Sequence, residues 1–210
     1  MNLSNLNIET IIVTAVALLI TIVLHELAHG YMALALGDDT AQRMGRLTLN
    51  PLAHLNLPGV LSLLIFKFGW ANPVPINFNR LKPRRLGIIL VSIAGVSMNL
   101  VLAFFASFGY VYTLYHKSNV LFSEFFALLL IYNISFAVFN LLPLPPLDGS
   151  KLVVSFFPTQ FQVKFYMYEK YFYFLLLFLV FTRTINTIIG PVVQTIFRIF
   201  VNIAAGFIIK

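Results

Sequence analysis

Cysteine is absent from all 210 residues. That excludes disulfides and every thiolate zinc site, leaving His, Asp and Glu as the side chains able to hold a transition metal. Charge is nearly as scarce: 10% of residues are Asp, Glu, Lys or Arg against 60% hydrophobic. With a mean hydropathy of +0.90, this balance excludes an ordinary soluble domain. Neither a low-complexity linker nor an internal repeat interrupts the chain, so residues 1–210 read as a single domain. The first ten residues hold Glu9 and no Lys or Arg, so a basic secretory leader is not expected and the first apolar run is expected to be retained.

What is present is a series of long apolar runs. Residues 8–36, 86–115 and 120–142 are each long enough to cross a hydrocarbon core of roughly 30 Å as helices. Residues 171–185 add a fourth span with an aromatic entrance. Residues 192–209 offer a fifth, although Arg198 leaves an interfacial amphipathic helix as its alternative. The expected fold is an all-α polytopic membrane protein, a bundle of about four to five spanning helices. A short β element and a re-entrant segment are expected between the first two spans. Residues 45–50 alternate like a strand, residues 72–77 carry prolines tolerated only at a sheet edge, and residues 60–68 are apolar but too short to cross.

The formal charge of +7 does not point to nucleic acid, since no soluble basic domain exists to bind it. It reads as topology instead. Of the 14 Lys and Arg residues, seven (Arg43, Arg46, Lys67, Arg80, Lys82, Arg84 and Arg85) lie between the first two spans. The positive-inside rule places that segment in the cytoplasm, the loop at 116–119 outside, and the Lys151, Lys164 and Lys170 connection inside.

Within the first run stands His25-Glu26-Leu27-Ala28-His29-Gly30. Four residues apart on a helix, His25 and His29 share a face and can reach one Zn²⁺, while Glu26 can take a proton from a metal-bound water. Ionisable side chains at membrane depth cost on the order of 2–3 kcal/mol, so their default reading is functional. Later, Asn140-Leu-Leu-Pro143-Leu-Pro145-Pro146-Leu-Asp148-Gly149 sets a carboxylate on a stiff loop among apolar residues. Asp148 is the favoured third ligand, completing two nitrogens and a carboxylate with a fourth position open; capping of a following helix is its alternative. His54 is the rival third ligand, and otherwise a residue that supports the ligands from behind. Ser92, Ala94, Gly95, Ser97 and Asn99 make the second span's first half small enough for another helix to approach closely.

Taken together, these blocks resemble the site-2 protease family of intramembrane zinc metalloproteases. The resemblance rests on His25-Glu26-x-x-His29-Gly30, Gly95-x-x-x-Asn99 and Asn140-x-x-Pro143-x-Pro145-x-Leu147-Asp148-Gly149. The stretches at 45–54 and 69–77 are similar to the compact prokaryotic branch without PDZ or CBS modules. The resemblance runs from about residue 20 to 155. It implies one zinc per chain on His25, His29 and Asp148, a base at Glu26, and Asn140 near the reacting carbonyl. It also implies cleavage in or near a transmembrane helix of another membrane protein, in a prokaryotic cytoplasmic membrane. The active site is expected toward the cytoplasmic side. A metal or proton transporter would also bury His and Asp, but would show repeated broken helices. A catalytically inactive, substrate-binding relative would be expected to lack Glu26.

Overall fold

The structure, a computed structural model of the chain, describes residues 7–56, 58–59 and 71–209. Its helices are α1 (Ile8–Ala35), α2 (Thr40–Arg43), α3 (Arg84–Tyr115), α4 (Val120–Asn140), α5 (Asp148–Val154), α6 (Thr159–Met167), α7 (Glu169–Phe181) and α8 (Thr184–Ile208). Among the described residues, α1, α3, α4 and α8 are long and apolar enough to cross a membrane. Even α4, with 21 residues, extends about 31 Å.

Local chemistry sets the helix ends. At the end of α1 the N–H of Gly37 reaches Leu34 O and that of Asp38 reaches Ala33 O. Gly37 sits at φ +96°, a conformation glycine adopts without penalty, so the pair of bonds closes a Schellman motif. Asn119 starts α4 by accepting the N–H of Leu121 at 2.9 Å. Pro143, three residues beyond the end of α4, cannot continue the helical ladder.

Three spanning helices, α1, α3 and α4, pack against one another, and α8 lies against α3 and α4. Ala17, Ala103 and Ala106 are fully or almost fully buried in that core. Such small side chains bring backbones close where lipid supplies no hydrophobic drive for helix association. Outward faces carry Phe105, Phe122, Phe178 and Phe207, apolar side chains suited to lipid.

Two smaller clusters position the site. Ala33 of α1, with Ile88 and Val91 of α3, packs on Leu81, Ile76 and Phe78, which holds the segment at 72–82 against the second half of α1. Leu147, Leu176 and Ile185 pack together and hold α7 and the start of α8 against the loop that leads to Asp148.

Sequence expectation and structure part in two places. No strand forms at 45–50 or 72–77; among the described residues the pairing is a single bridge, Leu55 to Ala71. Residues 72–77 are extended, and side chains rather than a neighbouring strand bond part of their backbone. The expected re-entrant segment at 60–68 lies outside the described residues. The fourth span is α8, not residues 171–185: α7 has 13 residues and stops at Thr182, and Arg183 adopts a left-handed conformation at φ 59° before α8 begins. A left-handed residue cannot continue an α-helix, so the expected fourth span is divided there. The expected fifth span is the greater part of α8, which runs on through Pro191.

Candidate metal centre

On α1 the i, i+4 spacing puts His25 and His29 one above the other, as the sequence requires. Their Nε2 atoms stand 3.0 Å apart. Asp148, the first residue of α5, brings Oδ2 to 3.2 Å from His25 Nε2 and 2.9 Å from His29 Nε2. All three are buried, at 2%, 5% and 6% exposure. Ligands about 2.0–2.1 Å from a tetrahedral zinc stand roughly 3.3 Å from one another, so this triangle is close to one face of such a site.

The outer nitrogens test whether the donor set fits a metal. His29 Nδ1 lies 2.7 Å from the backbone oxygen of Val91, which can only accept, so Nδ1 carries the hydrogen. His25 Nδ1 lies 2.6 Å from Asn99 Oδ1, likewise an acceptor. Neutral imidazoles protonated at Nδ1 leave both Nε2 lone pairs aimed at the carboxylate. Three acceptors converging without a proton repel one another, and a cation among them removes the conflict. The residues therefore fit a divalent metal with two nitrogens and one oxygen.

Close approaches explain the glycines around the site. A Cβ on Gly95 of α3 would lie 2.4 Å from His29 Nε2 and 2.6 Å from His25 Cε1, so only a glycine lets α3 press against both rings. Phe136 of α4 meets the His25 ring edge to face at 4.8 Å. At Gly149 a Cβ would fall 2.2 Å from Leu141 O, because the proline loop folds back on the end of α4 to deliver Asp148. Asp148 is the first residue of α5, but Leu147 is the N-cap and no side chain caps the helix, so the capping alternative is not what occupies the Asp148 carboxylate. Its second oxygen, Oδ1, is 3.0 Å from Lys151 Nζ, which leaves Oδ2 to the imidazoles.

Glu26 is half-buried on the same turn, and its Oε2 accepts the backbone N–H of Val74 at 2.8 Å. Asn140 is buried at the end of α4, and its Nδ2 donates to Phe136 O at 3.0 Å. His54 is not brought into the cluster. Asn50 caps a 3₁₀ turn at Pro51–Ala53, and His54 follows it, buried, with Nε2 2.8 Å from Thr48 O. Among the described residues no hydrogen bond joins it to His25, His29 or Asp148. Sequence reasoning passed over Thr21 and Asn133, counted Lys151 only as a topology marker, and saw Val74 only as part of the extended piece at 72–77. For Thr21 and Asn133 a signal existed: both are polar residues inside apolar spans, where an unpaired polar group is costly. Val74 gave none, because its part is played by a backbone N–H.

Comparison with known proteins gives the chain its family. Residues 111–183, which include Asn140 and Asp148, match the model for "Peptidase family M50". The "Putative zinc metalloprotease YwhC" of Bacillus subtilis (strain 168) is 38% identical over 185 residues, covering 85% of this chain and 84% of that protein. The chain belongs to peptidase family M50, the site-2 protease family. A second relative, the "Putative zinc metalloprotease Rip2" of Mycolicibacterium smegmatis (strain ATCC 700084 / mc(2)155), is 33% identical over 138 residues, 62% of this chain and 52% of that one. No solved structure gives a significant match. With four apolar helices and this membership, the chain is an integral membrane zinc metalloprotease of the M50 family. Zinc is the metal that the family implies for the His25, His29 and Asp148 site.

Proposed function

We propose that this M50 protease is an endopeptidase that hydrolyses a peptide bond in or near a membrane-spanning helix of another membrane protein. The observation that carries the reading is the burial of His25, His29 and Asp148 within a bundle of spanning helices, with Glu26 on the same turn. His25, His29 and Asp148 hold the zinc, and residues 1–210 form one catalytic domain. A bound zinc supplies a Lewis acid that polarises a carbonyl and lowers the pKa of water toward about 7.

The remaining work falls to the chain itself. Glu26, tethered through Oε2 to Val74, presents Oε1 to take a proton from the attacking water and pass it to the leaving amine. Asn140 spends one amide hydrogen on Phe136 O and keeps a second for the developing oxyanion. A helical substrate hides its carbonyls, so it must unwind. The extended segment at 72–77 suits an unwound chain: among the described residues the carbonyl of Val74 and both backbone groups of Ile76 have no hydrogen-bond partner. Such a row of free groups accepts a strand by edge addition.

Five basic residues between α1 and α3, with Arg84 and Arg85 at the start of α3, support a cytoplasmic placement of that segment and of the nearby site, in a prokaryotic cytoplasmic membrane. The test is co-expression with a panel of single-span membrane proteins, beside the Glu26→Gln variant. Products cut within or beside the span, present with wild type and lost with Glu26→Gln, are expected. Equal cleavage by both proteins sinks the reading. In the same cysteine-free chain, Arg84→Cys is expected to label only from the cytoplasmic side, and labelling only from outside overturns the placement.

A further inference from the structure

Thr21 of α1, Asn99 of α3 and Asn133 of α4 are polar side chains on three spanning helices, and none is more than 1% exposed. Buried at this depth, each must find partners, and each does. Their bonds form one connected chain that ends on His25. The nitrogen and oxygen of an amide look alike, so its direction is decided by partners able to play only one role.

Two backbone carbonyls make that decision here. Asn133 places one amide atom 2.8 Å from Leu129 O, a pure acceptor, so that atom is Nδ2. The same nitrogen lies 2.9 Å from Thr21 Oγ1, which gives its own hydrogen to Ala17 O at 2.8 Å and so accepts from Asn133. Oδ1 of Asn133 is thereby turned toward Asn99. It takes the Asn99 Nδ2 hydrogen at 2.8 Å, and that nitrogen has a second, longer contact of 3.4 Å with Thr21 O. Only Asn99 Oδ1 is left to face His25 Nδ1, at 2.6 Å.

An acceptor at that point requires Nδ1–H, and a neutral imidazole protonated there keeps its lone pair on Nε2. Nε2 is the atom that faces His29 and Asp148. The two histidines thus differ in how they are held. His29 is oriented by a backbone carbonyl, which no substitution on α3 removes, whereas His25 depends on side chains.

We infer that Asn133, which touches neither imidazole nor Asp148, is a positioning residue that sets the tautomer of His25 through Asn99. Without its Oδ1, Asn99 keeps only the 3.4 Å contact to Thr21 O to orient its amide. The amide can then turn its NH₂ toward His25, the imidazole hydrogen moves to Nε2, and the lone pair for the metal is lost. The inference rests on His25 being a zinc ligand.

The test uses the full chain in detergent, with ¹⁵N-labelled histidine to read the His25 tautomer in zinc-free protein and chelator competition to read zinc affinity. In wild type His25 is expected as the Nδ1–H form. Asn133→Leu is expected to populate the Nε2–H form and to weaken zinc binding about 10- to 100-fold. Asn133→Asp, neutral in so apolar a setting, still accepts from Asn99 and donates its O–H to Leu129 O; it is expected to stay within about 3-fold of wild type. A purely space-filling role predicts the opposite order, since Leu suits an apolar helix better than an acid does. Should Asn133→Leu fail to fold, Asn133→Ala removes the same acceptor without adding apolar bulk and carries the same expectation. Wild-type tautomer and affinity in the Leu or Ala variant overturn the inference, as does an Asp variant that falls as far as they do. If His25→Ala binds zinc normally, the ligand assignment fails instead, and the tautomer readout still decides the role of Asn133.

Discussion

Val74 and Glu26, 48 positions apart in the chain, meet through one hydrogen bond: the backbone N–H of Val74 donates to Oε2 of Glu26 at 2.8 Å. The bond ties the proposed base to the extended segment proposed to bind substrate, so both move together. That segment is pinned on either side. Arg46 donates to Asn72 O at 3.0 Å and to Pro73 O at 3.2 Å, and Asp38 accepts the N–H of Asn77 at 2.6 Å.

Val74→Pro deletes the N–H while keeping an extended backbone. A hydrogen bond to a charged group contributes about 1.5–3 kcal/mol, so cleavage should fall roughly 10- to 100-fold. Zinc content should stay near that of wild type, because no ligand has changed. Val74→Ala retains the donor and should lose about 3-fold or less by the same reasoning. Full cleavage by Val74→Pro, measured with a defined substrate in detergent, removes Val74 from the mechanism.

Ligand and base substitutions should separate metal from chemistry. Glu26→Gln keeps both imidazoles and Asp148, so zinc should remain by atomic absorption while cleavage drops by several orders of magnitude. Asp148→Ala should lose both. His54 lacks a hydrogen bond to any of the three, so His54→Ala should keep its zinc. Zinc lost from His54→Ala but retained by Asp148→Ala would reverse the assignment of the third ligand.

Gly95→Ala offers a test that changes no polar group. Its new Cβ would crowd His29 Nε2 and Cε1 and His25 Cε1, so the imidazoles or the α1–α3 packing must shift. Zinc affinity should fall by about 10-fold or more, while the helical circular dichroism signal stays near wild type. A variant with wild-type zinc affinity would show that the two helices separate more easily than their packing suggests.

Asp38 links stability to pH. Burial pushes its carboxyl upward, but hydrogen bonds from the Thr40 hydroxyl, the Asn77 N–H and the Thr40 N–H, with the charge of Arg80, outweigh burial and hold it below the usual carboxylate range. A group depressed in the folded state contributes its full stability above its unfolded value, about 3.9, and loses it as pH falls through the lower folded value. Asp38→Asn should therefore lower the thermal midpoint in detergent at pH 7, and the gap from wild type should narrow below about pH 4. A gap that stays constant from pH 7 to pH 3 refutes the linkage.

Much of the molecule was legible along the chain because it depends on neighbours in sequence. Long apolar runs dictate spanning helices, since every backbone group in lipid must be satisfied within the segment. Helical spacing alone puts His25 and His29 on one face, with Glu26 beside them. Gly95 stood out among small residues as a place of close approach, and it is one.

Tertiary structure decided the rest. Asp148, 119 positions beyond His29, reaches the imidazoles only because the proline loop folds back over Leu141 and packs through Leu147 against Leu176 and Ile185. His54 had the right chemistry for a ligand, but its turn ties it to Thr48 instead. The segment at 72–77 has strand-like residues and, among the described residues, no strand to pair with; Glu26, Asp38 and Arg46 bond part of its backbone in place of a sheet. Asn133 has no meaning in isolation. Its amide points one way because Leu129 O and Thr21 Oγ1 can only accept from it, and hydrogen-bond direction, unlike helical periodicity, exists only once the helices have met.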